Sequence, residues 1–169
     1  MWKWKKFLRR YMRIFMNLWP PFLGAGIRVK RLQPDWKRID VEMKLRLWNS
    51  NYVGTHYGGS LYSMADPFYM LMLIENLGRD YVVWDKSASI RFRTPGKGTV
   101  AVSFQLADDD IAQIREALQT QEKLDRTFLA EIKDESGTVV AEIQKVVQIR
   151  DKKKMQKPAP ALPRSAQPN

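Results

Sequence analysis

The sequence predicts an α+β domain in which a curved antiparallel sheet wraps around one central helix. Six segments alternate apolar and polar residues with the period of a strand. Between the second and third of them runs a stretch, reaching Leu77, that is apolar on nearly every side. A helix of that kind must be covered on most of its faces, and an antiparallel sheet curling around it does so. With 169 residues, 44% of them hydrophobic, the chain suits one domain, and a domain near this size buries roughly 70% of the surface its unfolded form exposes.

From Trp2 to Leu18 the chain carries Lys3, Lys5, Lys6, Arg9, Arg10 and Arg13 and no acid. At helical spacing Trp4, Phe7, Leu8, Tyr11, Ile14, Phe15 and Leu18 form one apolar stripe among them. Pro20 and Pro21 stop this helix. Ile27, Val29 and Leu32 are spaced as a first strand. The second, Arg38 to Trp48, sets Ile39, Val41, Met43, Leu45 and Leu47 on one face against Arg38, Asp40, Glu42, Lys44 and Arg46 on the other. The apolar helix follows and is closed by Gly78 as its C-terminal cap. Four further strands run over 82–94, 99–106, 126–133 and 138–149, with turns at Pro95–Gly98 and Ser136–Gly137. A short helix, DDIAQIREALQTQ, lies between the middle two with Asp108 or Asp109 as N-cap. One oddity stands out: strand parity puts Lys86 on the side of Ala88, Ile90 and Phe92, so either a bulge intervenes or a lysine points inward. The resulting organisation is a basic amphipathic helix over 1–19, the α+β domain over 20–150, and a disordered, basic and proline-rich tail over 151–169.

Composition narrows the chemistry. The chain has no cysteine, which excludes disulfide scaffolds, thiolate metal sites and cysteine nucleophiles. Its single histidine, His56, leaves no donor set for zinc, and no metal or cofactor is expected. A net charge of +11 invites a nucleic-acid reading, yet no zinc finger, KH loop or RNP pair is present, so no nucleic-acid partner is expected. Charges interrupt every apolar run of the N-terminal helix, so neither a signal-peptide core nor a spanning segment can be drawn. Two readings of that helix stay open: docking on an anionic membrane surface from the cytoplasmic side, or packing on its own domain or a second copy.

The stretch NYVGTHYGGSLYSMADPFYMLML, residues 51–73, drops Asp66 into the apolar helix. Burying an ionised carboxylate is costly unless it is paired. Read from the residues alone, Asp66 before Pro67 is best explained as a helix N-cap. A helix starting near Gly58 would instead carry Pro67 in its interior, at about 3 kcal/mol or a kink.

Asn51, Gly54, Thr55, the Gly58–Gly59 pair, Ala65–Asp66 and a strand ending in Thr94–Pro95 give the chain a resemblance to the hotdog-fold acyl-CoA thioesterases, most closely the DUF4442 branch, over roughly residues 15–150. In the phenylacetate-type members an Asn, an HGG triplet and an Asp seven residues past its second Gly occur in that order. Gly59 and Asp66 keep the spacing, while Tyr57 stands at the triplet's His position and His56 one residue earlier. The resemblance implies hydrolysis of acyl-CoA or another acyl thioester by a homodimer or larger oligomer. Gly58 N–H would donate to the thioester oxygen, Asp66 would be general base or nucleophile, and Asn51 would orient water or carbonyl. Gly59 and His56 would lie beside the substrate, and Asp85 would stand near the position of a catalytic Ser or Thr in some relatives. Arg91, Arg93 and Lys97, where a strand gives way to a turn, could grip the phosphates of coenzyme A, or be a solvated face. Two alternatives remain: an acyl-binding module without turnover at a membrane surface, and a dehydratase using His56 with an acidic partner.

Overall fold

A computed structural model describes residues 11–155. The first ten residues of the basic helix, and the tail from residue 156 onward, lie outside the described residues. The strands are β1 (Ile27–Leu32), β2 (Arg38–Lys44), β3 (Tyr81–Phe92), β4 (Thr99–Gln105), β5 (Lys123–Asp134) and β6 (Val139–Asp151). They form one antiparallel sheet in the order β1-β2-β4-β5-β6-β3, so β1 and β3 are its edges. The helices are α1 (residues 11–18), α2 (Pro20–Ala25), α3 (Gly58–Ser63), α4 (Phe68–Leu77), α5 (Asp108–Thr120) and α6 (Lys152–Met155), whose last turn carries the folded region past residue 150.

The period-two pattern places the core. Ile39, Val41 and Met43 of β2, Val100, Val102 and Phe104 of β4, and Ala141, Ile143, Val147 and Ile149 of β6 are buried in one core with Leu61 of α3 and Phe68, Met72 and Leu73 of α4. Phe68 and Tyr69 of α4 stack on Phe104 and Phe128 with ring centroids 4.9 and 4.5 Å apart, and Phe22 of α2 closes the row 5.9 Å from Phe68. Each such pair contributes about 0.5–1.5 kcal/mol beyond its buried area. β4 and β5 are joined through only Val100↔Asp134 and Ala101↔Lys133, whereas β5 and β6 pair along their length. In the parted seam the Tyr69 hydroxyl donates to the Leu129 carbonyl at 2.8 Å. Burial first, and the charge of Asp110 second, push that phenol up to about 12.

The structure departs from the pattern at several points. The prolines end α1 but also begin α2, because Pro is tolerated in a helix's first turn, where its missing N–H has no acceptor. β2 stops at Lys44, and Leu47 is 96% exposed rather than on the core face. The cause is Asn49: its amide donates to the Ala25 and Lys44 carbonyls and accepts from Arg46 N–H at 2.7 Å, which turns the chain out of the sheet. α5 is preceded by Ala107, not by an Asp cap; Asp110 accepts from the Ala107 N–H instead, and Asp108 pairs with Lys37. β3 carries a bulge between Asp85 and Ser87. Lys86 takes up the extra residue and pairs outward with Asp125 at 2.5 Å, while Asp85, opposite Val147, stays on the inner side. The amphipathic stripe of α1 is not the face that docks. Met16 is buried and Asn17 bonds both backbone groups of Val29, leaving Ile14, Phe15 and Leu18 exposed.

Candidate active site

The loop from Asn49 to Tyr57 and the turn after β3 face each other across a cleft of about 600 Å³. Asn51 lines it, but its amide is engaged within the loop: it donates to Thr55 Oγ1 at 2.8 Å and accepts from the N–H groups of Val53 and Thr55. His56 is buried in the cleft wall, its Nε2 3.1 Å from the Gly98 carbonyl and its Nδ1 without a partner. The carbonyl beside Nε2 and the unpartnered Nδ1 suit the tautomer protonated on Nε2. Burial pushes its pKa down, and the bond to Gly98 only partly opposes this. An acidic partner for His56, which a dehydratase base would need, is absent among its described contacts.

Gly58 and Gly59 open α3. The first N–H groups of a helix have no intrahelical acceptor, and Gly58 borders the cleft. A Cβ on Gly58 would come within 2.8 Å of the Phe92 ring, so glycine here lets strand and helix approach closely. A Cβ on Gly59 would collide with the Tyr57 ring.

Asp66 sits where residues 64–67 break the apolar segment into α3 and α4. Pro67 imposes this break, since it cannot continue the hydrogen-bond ladder. The N-cap reading of Asp66 does not hold, because α4 has Pro67 at its N-cap position and no side-chain cap bond. The Asp66 carboxylate instead meets Lys145 of β6, with Nζ 2.6 Å from Oδ1 and 2.5 Å from the Asp66 carbonyl. Asp85 Oδ2 lies 2.9 Å from the same Nζ, and the Tyr62 ring 5.6 Å from it. The Lys145 side chain is 2% exposed, that of Asp66 47%. Burial works against the ammonium, but the two carboxylates hold Lys145 above its ordinary value. Burial pushes Asp85 up, with Lys145 pulling the other way, and its Oδ1 is buried without a partner. Burial and Asp66 raise the Tyr62 phenol.

The expected residues therefore fall into two groups. Asn51, His56, Gly58 and Arg93 border the cleft. Asp66 and Asp85 belong to the lysine cluster, past the C-terminal end of the helix that Gly58 opens. Asp66 is not among the residues that line the cleft bordered by Gly58. The guanidinium of Arg93 is forked onto Glu142 at 2.9 and 2.8 Å. Arg91 lies outside the cleft, on the outer surface by Ser89 and Glu131. Lys145 escaped the sequence reading, although its parity with Ala141, Ile143, Val147 and Ile149 marked it as a lysine on an inward face.

The family model for a domain of unknown function, DUF4442, matches residues 9–149. No curated protein matches the chain. Among solved structures, a Pseudomonas aeruginosa protein of unknown function, described as a probable thioesterase, aligns with a TM-score of 0.73 at 25% identity, covering 84% of this chain and 95% of that one. A thioesterase from Haemophilus influenzae aligns with a TM-score of 0.59 at 12% identity, over 81% of this chain and 87% of that one. A mutant of a thioesterase from Staphylococcus aureus does so at 0.56 and 11%, over 76% and 97%. The last two speak to the fold alone. The curved six-stranded sheet around α3 and α4 is the hotdog fold.

Proposed function

This chain belongs to the DUF4442 family, and from that premise we propose that it hydrolyses acyl thioesters at a site completed by two copies of the chain. The observation that carries the reading is the Asp66 carboxylate, which does not cap a helix and stands half exposed in an otherwise apolar segment. The probable-thioesterase description of the Pseudomonas relative supports the substrate class. In the proposed reaction Asp66 takes a proton from water, and the water oxygen bonds to the thioester carbonyl carbon. The carbonyl oxygen becomes negative and accepts from Gly58 N–H, a type of interaction that often contributes on the order of 100- to 1000-fold in rate. The C–S bond then breaks, the thiolate receives the proton from Asp66, and a carboxylic acid and a thiol leave. Asn51 shapes the loop that faces the substrate. Lys97 and Arg93 are the basic groups that line the cleft, and they are proposed to face the phosphates of coenzyme A.

β3 supports the two-chain site: it is a long edge strand, and its exposed residues include Trp84 and Phe92. An open edge of this kind is a template for pairing with another chain. Pairing along β3 would bring Gly58 of one protomer, beside Phe92, toward Asp66 of the other. The test is thiol release from a series of acyl-CoAs. Wild-type protein should turn over at least one of them, and Asp66→Asn should lose about 10²- to 10⁴-fold with an unchanged circular dichroism spectrum. Full activity in Asp66→Asn defeats the assignment.

A second reading concerns location. Among the described residues no helix is long and apolar enough to cross a membrane. Yet α1 turns Ile14, Phe15 and Leu18 outward, and Leu18 and Leu23 share a hollow with Trp48, Arg28 and Arg46. An apolar face rimmed by cations suits the interface of an anionic bilayer, so the chain is proposed to work at a membrane surface.

A further inference from the structure

We infer that Lys145 is a positioning residue for Asp66: anchored on Asp85, it fixes where the Asp66 carboxylate sits. The inference rests on the catalytic reading of Asp66. An ammonium has three N–H donors, and three acceptors meet this one: Asp66 Oδ1, the Asp66 carbonyl and Asp85 Oδ2. Two of the three come from one residue, so the lysine grips side chain and main chain together at the break before α4. Lys145 holds Oδ1, and the Tyr62 phenol faces the same carboxylate.

The cluster draws on several elements, while β5 sets only Phe128 opposite Lys145. Tyr62 comes from α3, Asp66 from the break, Asp85 from the bulged part of β3 and Lys145 from β6. Lys86 is turned away onto Asp125. The bulge thus has a purpose in the site. It keeps Asp85 on the inner side, where without Lys145 it would confront Asp66 as a second negative charge.

Lys145→Met removes the clamp and should lower kcat about 10- to 100-fold with KM little changed, as expected when a reacting group is displaced. Lys145→Arg keeps a cation within reach of both carboxylates and should restore part of the loss. The Asp66 carboxyl-carbon NMR resonance at one fixed pH, which needs no turnover, should move in Lys145→Met and return toward its wild-type position in Lys145→Arg. A merely structural lysine would cost stability without a kcat loss that arginine restores. An unmoved resonance with unchanged kcat in folded Lys145→Met overturns the inference; if Lys145→Met does not fold, an unmoved resonance in Asp85→Asn, which removes the lysine's anchor, does so alone. A resonance that moves while Asp66→Asn remains fully active upholds the clamp and overturns its catalytic purpose.

Discussion

Lys145 and His56 are both buried, and the difference between them lies in what each finds there. Desolvation disfavours the charged form of either side chain. Lys145 meets two carboxylates and is held above its ordinary value, whereas His56 meets only the Gly98 carbonyl and falls below 6.5. Linkage turns the second fact into a stability prediction. Well above pH 6.5 His56 is neutral whether the chain is folded or not. As the pH drops below 6.5 the unfolded chain takes up the proton first, so folding loses stability until the pH passes the lower folded-state value. His56 is the sole histidine, so the slope just below 6.5 is its signature. Thermal unfolding between about pH 7 and 5.5 should show Tm declining in wild type, and His56→Gln should flatten that decline. Equal slopes would mean that the ring charges without penalty in the fold. Gly58 offers a second test at this scale. Gly58→Ala should lower turnover because its Cβ meets Phe92, and adding Phe92→Leu should restore part of the loss by making room.

At the scale of the element, what could be read in the sequence was whatever depended on side-chain period alone. All six strands and the buried helical segment were legible because alternating or continuous burial writes itself into the order of residues. Gly78 was legible too, since a positive φ of 90 after a helix calls for glycine. Features that depend on where two distant segments meet were not. The end of β2 is set by Asn49 reaching Ala25. The parted β4–β5 seam is filled by Tyr69. Asp66 looked like a cap because its true partner lies 79 residues away in β6. Pro67 joins the two levels, for it breaks the helix locally and thereby presents the Asp66 carbonyl to Lys145. Pro67→Ala should let α3 and α4 run together and pull that carbonyl away. Stability by chemical denaturation should then hold or rise, while turnover falls on the order of 10- to 100-fold, as expected when a reacting group is displaced. Unchanged turnover would show that the break serves packing alone.

For the molecule as a whole, the exposed stripe of α1 and the open edge of β3 make separable demands. Membrane docking predicts that the protein sediments with vesicles containing phosphatidylglycerol and is released by salt, and that Phe15→Glu with Leu18→Glu abolishes sedimentation without altering thiol release from soluble acyl-CoA. Failure of wild type to sediment at low salt ends that idea. The edge makes the harsher prediction, because the proposed two-chain site depends on it. Ser87 and Ser89 are exposed near the middle of β3 and, opposite Val146 and Gln144, do not share the inner register of Ala88 and Lys145. If two β3 strands pair about a two-fold axis, lysines at both positions set like charges against their own copies, which is destabilising across a strand pair. Ser87→Lys with Ser89→Lys should therefore convert a dimer to a monomer in sedimentation velocity. The core should keep its stability, since neither side chain packs inside. Turnover should be lost together with the dimer, because within one chain Gly58 and Asp66 flank opposite ends of α3 and Asp66 does not line the cleft that Gly58 borders. A monomer that still hydrolyses thioesters at the wild-type rate would require a complete site within one chain, and the pairing of Gly58 with a second copy's Asp66 would have to be abandoned.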